Sequence, residues 1–283
     1  MLTASDVART PRVWPQRVAT LLVAVAVLAP YGLLALLSLG SGWTFPNLLP
    51  DRLDLAPWRR LLSDRDGLLR AVGTSLLMSV IVGAVSTVGG LLIGRAVRCV
   101  GRPVYRYLMY VPFVVSPVIV GICLYDLFVR CHLAGTATGV VLAQSIIGLS
   151  FAAVFFSEMW SDRTDRLESL VRQLGGGPWD VWRHAILSQM SGLILICFVQ
   201  AALYSWVDFG LASVLGGGRV STVTVRVFAC IREASVNQAA LSGLILLVLP
   251  LAAVALLAAF YGTKSATSGA TGSASACQRP VSS

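Results

Sequence analysis

The sequence predicts an all-α membrane protein with six transmembrane helices, and two observations support this fold class. Of the 283 residues, 56% are hydrophobic and only 12% are charged, whereas a soluble domain carries about 25% charged residues. The apolar residues also form six long runs. Each run has at least about 20 residues, which at about 1.5 Å per residue crosses a hydrocarbon core of ~30 Å. A soluble fold is hard to reconcile with this composition.

The apolar runs define the domain organisation. A polar segment, 1–17, precedes a membrane domain over 18–261, and the Ser/Gly/Ala/Thr-rich tail, 262–283, is expected to be disordered. A cleavable signal peptide is the alternative interpretation of the first run, but this run is longer than the usual core of about 7–15 residues. The predicted spans are 18–39, 72–94, 107–129, 137–160, 191–215 and 239–261.

The net charge of +9 comes largely from arginines that lie between the apolar runs. This placement favours anionic lipid head groups of a bilayer, and not nucleic acid, as the partner of the positive charge. The six cysteines form no CxxC pair, and His132 and His184 lie far apart in sequence. We therefore expect neither a disulfide framework nor a metal site.

Two of the predicted spans have unusual compositions. The second span, 72–94, is dense in small residues, which allow close helix packing in lipid and predict a central position in the bundle. The third span, 107–129, contains Pro112 and Pro117, which interrupt the backbone hydrogen bonds of a helix. Such a broken helix could line a translocation path or could be a packing kink, and the sequence leaves both open.

The distribution of arginines predicts the orientation in the membrane. The segment 95–106 holds four arginines and no acidic residue, which is typical of a cytoplasmic loop. An even number of spans places both termini on one side, so the N- and C-termini and the loop 162–189 are predicted to be cytoplasmic. The loop 216–238 is then expected on the outer side.

The stretch from Leu167 to Gln189 is the most informative polar passage in the second half of the chain. Four apolar residues at helical spacing predict a helix over about 162–174. Three glycines would end this helix, and Pro178 stands where the next helix could begin. The pattern predicts a helix, a glycine turn and a second helix, with one apolar face free to dock. The four apolar residues are Leu167, Leu170, Val171 and Leu174.

This passage resembles the cytoplasmic loop of binding-protein-dependent ABC importer permeases, whose pattern is roughly L-E-E-A-A-x-x-L-G-A-S-P-W followed by V-x-L-P. The chain departs from the pattern at the second Glu and the two Ala, at the Ala-Ser pair after the glycine, and at the last proline. The double-proline third span and the Asp208-Phe209-Gly210 ending resemble the branch of this family that transports iron, thiamine, polyamines or phosphonates. The matching residues of the loop are Leu167, Glu168, Leu174, Gly175, Pro178, Trp179 and Leu187.

The resemblance implies the type I ABC importer permease fold and a place in the bacterial inner membrane. ATP and magnesium would be bound by a separate ATP-binding-cassette subunit, and this chain would bind no cofactor. An extracytoplasmic substrate-binding protein would deliver the substrate, and a second permease, identical or a sister subunit, would complete the path. The residues implied to couple to the ATPase are Glu168, Ser169, Leu170, Leu174, Gly175, Gly176, Pro178 and Trp179.

By this resemblance Leu170 and Leu174 would dock on the ATPase, and Glu168 could meet one of its basic residues. A second set of residues could line the translocation path, because ionisable and polar groups at membrane depth are often functional. Asp126 could instead pair with Arg130, and the two glutamines could equally form inter-helix hydrogen bonds. The candidate path residues are Pro112, Pro117, Asp126, Gln144, Gln200 and Asp208.

The polypeptide itself is predicted not to be an enzyme, because it has no phosphate-binding glycine loop in a strand–helix context and no recognisable nucleophile–base pair. Two other functions stay open. A secondary transporter driven by an ion gradient would need a buried carboxylate near the middle of the bilayer, and none is evident. A non-transporting membrane scaffold would explain the departures from the Glu-Ala-Ala pattern.

Overall fold

The computed structural model describes residues 13–41, 52–53, 58–59 and 67–276, and these residues are almost entirely helical. Residues 1–12 and 277–283 and most of the first outer loop lie outside these ranges. A minimal antiparallel pair joins β1 (Gly40–Ser41) to β2 (Arg52–Leu53). In chain order the helices are α1 (Val13–Leu39), α2 (Leu68–Val100), α3 (Pro103–Val114), α4 (Pro117–Arg130), α5 (Ala137–Met159), α6 (Asp162–Gln173), α7 (Pro178–Val207), α8 (Gly210–Gly216), α9 (Val223–Arg232) and α10 (Val236–Ala276).

Five of these helices, α1, α2, α5, α7 and α10, are long and apolar enough to cross a membrane. The helices α3 and α4 together make a sixth candidate span, which is bent by 89° between them. The predicted all-α membrane fold class is therefore confirmed within the described residues. The third predicted span, 107–129, is not one continuous helix but this bent pair.

Pro117 and not Pro112 makes the break in the third span. Pro112 lies inside α3, whereas Pro117 is the first residue of α4. A residue that precedes proline is driven out of the helical region by the proline ring. Accordingly Val115 and Ser116 have extended ψ angles of 137° and 134°. The chain changes direction at these two residues.

Other helix ends differ from the sequence-based bounds. The helix α2 continues through Arg95 and Arg98, so the predicted loop 95–106 is mostly helix with a sharp turn at Gly101. Gly101 has a φ of 66° and ends α2 with a 3.1 Å hydrogen bond from its N–H to the Val97 carbonyl. Much of the predicted outer loop 216–238 is the helix α9. The last helix runs on to Ala276, where a disordered tail is predicted from residue 262.

The helix α2 lies at the centre of the bundle, as its small residues predict, and packs along α5 and α7. Around it α3 also packs on α5, α8 packs on α4, and α1 packs on α10. Two buried clusters hold these helices together. One, around α4, α5 and α8, includes Phe128, Val140, Ile147, Leu211 and Leu215. The other, around α2, α5 and α7, includes Leu91, Phe156, Trp160, Ile186 and Met190.

Glycines let α2 and α5 approach at backbone distance. A Cβ atom placed on Gly90 would lie 2.7 Å from the carbonyl carbon of Ala152 and 2.8 Å from the amide nitrogen of Ala153. One turn further, a Cβ atom on Gly94 would lie 3.1 Å from the Ala153 carbonyl oxygen. Because the obstacles are main-chain atoms and the Cβ atoms of Ala152 and Phe156, no side chain can rotate aside to admit a larger residue. This contact therefore requires glycine.

Replacing Gly90 by leucine is expected to lower the free energy of unfolding by about 1–3 kcal/mol or more, because α2 and α5 must separate. Gly73 on the same helix provides the control, since a Cβ atom there has no other heavy atom within 4 Å. The measurement is thermal unfolding of each detergent-solubilised variant. An equal loss for Gly90→Leu and Gly73→Leu would contradict the close approach.

Candidate functional site

The glycine turn after α6 is a Schellman motif. The Gly175 N–H donates to the Arg172 carbonyl at 3.1 Å, and the Gly176 N–H donates to the Val171 carbonyl at 2.9 Å. Gly175 has a φ of 81°, in the left-handed region that favours glycine. A Cβ atom on Gly176 would lie 2.8 Å from the Val171 carbonyl oxygen. The predicted helix and its glycine stop are both present, and the motif gives the turn one defined conformation.

The second helix of this passage is the beginning of α7 and not a separate short helix. Pro178 is its first residue, and the Gly177 N–H donates to the Asp180 carboxylate at 3.0 Å. Residues Val181–Leu187 form a π-helical segment within α7. Val181 and Ile186 in this segment are buried in the cluster around α2, α5 and α7. The turn is therefore anchored directly in the core of the bundle.

Ionic contacts fix α6 to the end of α2. Arg95 Nη2 lies 2.6 Å from Glu168 Oε1, and both side chains are less than 20% exposed. Arg98 Nη2 lies 3.0 Å from Asp165 Oδ2, whose other oxygen accepts a 2.7 Å hydrogen bond from the indole of Trp160. The Arg95 guanidinium also stacks 5.1 Å above the ring centre of Trp182. Glu168 thus faces its own chain and not the surface where the resemblance expects a partner.

The outer face of the turn carries exposed apolar side chains. Leu170 is 52% exposed, Leu174 is 87% exposed and Trp179 is 75% exposed. Val171 instead packs inward against the cluster around α2, α5 and α7. The predicted single apolar face is therefore divided between the bundle and the surface. Ser169 is exposed, and its hydroxyl donates to the Asp165 carbonyl at 2.9 Å.

At the other end of α7, two of the candidate path residues meet in a buried network. The Asp208 carboxylate accepts hydrogen bonds from Gln144 Nε2 at 3.0 Å and from the Ala212 N–H at 3.2 Å. Ser205 donates to Gln144 Oε1 at 2.7 Å, and Thr224 donates to the Asp208 carbonyl at 2.9 Å. Asp208 therefore caps α8 and joins it to α5, α7 and α9. Sequence patterns do not reveal Ser205 and Thr224, because single hydroxyl residues in apolar segments carry no motif.

The other candidate path residues lie apart from this network. Asp126 pairs with Arg130 at 2.9 Å, and both side chains are 76% exposed. Gln200 lines a cavity of about 470 Å³ with Tyr204 and Pro250, between α5, α7 and α10. Pro112 and Pro117 lie on either side of the bend between α3 and α4. Of the six candidates, the hydrogen bonds of the described residues connect Gln144 and Asp208.

Comparison with known proteins shows the fold. No protein-family model and no curated protein matches the sequence. Among solved structures, a chain of a bacterial ABC transporter involved in the import of the acidic polysaccharide alginate matches with a TM-score of 0.60 and 15% sequence identity. The match covers 92% of this chain and 99% of that chain. The chain has the fold of an ABC importer permease. The fold class implied by the loop resemblance is confirmed.

Replacing Arg95 by alanine is expected to lower the free energy of unfolding by about 1–2 kcal/mol, because the largely buried Glu168 loses this partner and keeps the more exposed Arg172 at 2.8 Å. Arg130→Ala is the control, since the Arg130–Asp126 pair is exposed and should contribute about 0.5 kcal/mol or less. Thermal unfolding in detergent measures both effects. Equal effects would show that the Arg95–Glu168 contact does not hold α6 in place.

Replacing Asp208 by alanine is expected to lower the free energy of unfolding by about 2–4 kcal/mol, because Gln144 and the first amides of α8 lose their acceptor. Asp126→Ala is the control, because Asp126 is exposed and pairs with Arg130 alone among the described residues. Chemical unfolding followed by circular dichroism compares the two variants. If both variants are as stable as the unmodified protein, Asp208 is not a structural cap.

Proposed function

We propose that this chain is the permease subunit of an ATP-driven importer in the bacterial inner membrane. It forms half of the translocation path and couples to a separate ATPase through the segment 162–189. The observation that carries the proposal is the exposure of Leu174 and Trp179 on a turn that is itself firmly held. Exposed apolar side chains surrounded by polar residues are typical of protein-binding surfaces.

The contacts of the turn explain how docking could reach the membrane helices. On one side Glu168 and Asp165 hold α6 to the end of α2 through Arg95 and Arg98. On the other side the turn continues into α7, whose residues Val181 and Ile186 are buried in the core. A displacement of the turn by a partner would therefore move α2 and α7 together. A partner that binds one position of the turn more tightly would bias the bundle between two states.

The charge distribution supports a cytoplasmic position for the turn. The arginines of the 95–106 segment lie at the same end of the bundle as α6, because Arg95 and Arg98 contact it directly. By the positive-inside rule this end faces the cytoplasm, where an ATPase can reach it. The opposite end, with α8 and α9, would then face the substrate-binding protein. A single chain supplies one half of the path, so a second permease, identical or a sister subunit, completes it.

The branch of the family that handles iron, thiamine, polyamines or phosphonates is supported by two motifs that contact each other. A Cβ atom on Gly210, the last residue of the Asp208-Phe209-Gly210 ending, would lie 3.3 Å from the Pro117 side chain. It would lie 3.1 Å from a methyl group of Val118. The ending and the proline break thus form one structural unit. The structurally similar transporter is involved in the import of a polysaccharide, which is outside these substrate classes. The substrate class should therefore be determined from the substrate-binding protein that co-purifies with this chain.

The ion-driven alternative receives no support from the one charged residue that is buried among the described side chains. Asp208 is 7% exposed, but its carboxylate is used by Gln144 and by the amides of α8. A scaffold without transport predicts no nucleotide dependence and no loss of function when the turn is altered. Removal of the exposed apolar residues of the turn separates this alternative from an importer.

The test is co-purification of the tagged, full-length chain from its native membranes, followed by mass spectrometry and by ATPase assay of the complex. The variants Leu174→Ser and Trp179→Ser should each reduce the retained ATP-binding-cassette subunit about tenfold, as expected for central interface residues. Both side chains are exposed, so the variants should fold normally.

Ile231→Ser is the matched control, because Ile231 is 56% exposed on α9 at the opposite end of α7. It should leave retention of the ATPase unchanged. If the unmodified chain retains no such subunit, or if Leu174→Ser and Trp179→Ser retain it fully, the coupling proposal is wrong.

A further inference from the structure

A basic pocket lies at the turn between α2 and α3. It has a volume of about 220 Å³ and is lined by Arg98, Arg102, Arg106 and Ser157, together with the backbone turn at Gly101. Three arginines, one each from the end of α2, the turn and α3, therefore surround a single concavity. The pocket has room for one phosphate-sized group.

The arginines of this pocket retain an excess positive charge. Arg98 pairs with Asp165 and Arg106 pairs with Glu158. Arg102 is exposed and has no ion-pair partner within the part of the chain that the structure describes. Arg102 therefore adds a positive charge that no carboxylate of the described residues pairs with. This charge matches the single negative charge of a phosphodiester.

An apolar groove continues from the pocket along α3. The groove has a volume of about 610 Å³ and is lined by Tyr107, Tyr110 and Val114. It shares Pro103 and Arg106 with the basic pocket, so the two form one continuous surface. A cationic end and an apolar end thus lie side by side on a helix of a membrane protein. Tyrosines beside arginines are also typical of the membrane–water interface.

We propose that this surface binds an anionic phospholipid. Its phosphodiester would bind Arg102, with Arg98 and Arg106 alongside, and an acyl chain would lie along the groove of α3. Charge selects the occupant, because a zwitterionic lipid carries a choline or ethanolamine cation into a pocket that is already positive. Basic pockets at the cytoplasmic ends of membrane helices are suited to such head groups. The site depends on the membrane fold and not on the coupling proposal.

The experiment uses the full-length chain, delipidated in mild detergent and titrated with phosphatidylglycerol or phosphatidylcholine in native mass spectrometry. The unmodified chain should retain phosphatidylglycerol in preference to phosphatidylcholine. Arg102→Ala should weaken phosphatidylglycerol binding about fivefold, as expected for loss of one basic residue near an anionic head group. Arg70→Ala is the control, because Arg70 is exposed at the opposite end of α2 and should have no effect.

A second pair of variants tests the acyl-chain groove. Val114→Ser should weaken phosphatidylglycerol binding about threefold, whereas Val111→Ser, which does not alter a lining residue of the groove, should not. The two valines are both exposed, so both variants should fold.

Four outcomes would overturn the proposal. Three are equal retention of the two lipids, equal effects of Arg102→Ala and Arg70→Ala, and saturation of the site by inorganic phosphate alone. The fourth is that the unmodified chain forms a dimer without added lipid and that Arg102→Ala or Val114→Ser abolishes this dimer. The surface would then bind a second copy of the chain and not a lipid.

Discussion

The close approach of α2 and α5 is the contact on which the rest of the bundle depends. In lipid there is little hydrophobic force between helices, so their association relies on short-range packing. Gly90 and Gly94 bring the two backbones together. Arg95 follows directly after Gly94, so the same contact sets the position of the guanidinium that holds Glu168. The arrangement of α6 and its turn is therefore linked to a backbone contact within the membrane.

The two ends of α7 are held by different kinds of interaction. Near the turn, apolar residues such as Val181 and Ile186 are buried, and the arginine–carboxylate pairs range from the largely buried Arg95–Glu168 to the more exposed Arg98–Asp165. At the far end, buried hydrogen bonds around the Asp208 carboxylate and Gln144 join four helices. Salt weakens the more exposed ionic contacts, whereas it has much less effect on a buried hydrogen-bonded network. The two ends of α7 should therefore respond differently to ionic strength.

Local patterns in the sequence predicted those features that depend on a few neighbouring residues. Composition and run length predicted the membrane class, and Gly175 with Pro178 predicted the end of α6 and the start of α7. Features that depend on distant residues were not predictable in this way. Gln144 and Asp208 form a hydrogen bond although they are 64 positions apart in the sequence. Glu168 points inward because it pairs with Arg95, which is 73 positions away in the sequence.

The π-helical segment Val181–Leu187 has a mechanical consequence for α7. Hydrogen bonds between residues i and i+5 are rare in proteins, and where they occur inside an α-helix they are frequently at functional sites. If a partner displaced the glycine turn, a change in the hydrogen-bond register of this segment could take up part of the displacement. The outer half of α7, with Gln200 and Tyr204 lining the cavity, would then move less than the turn.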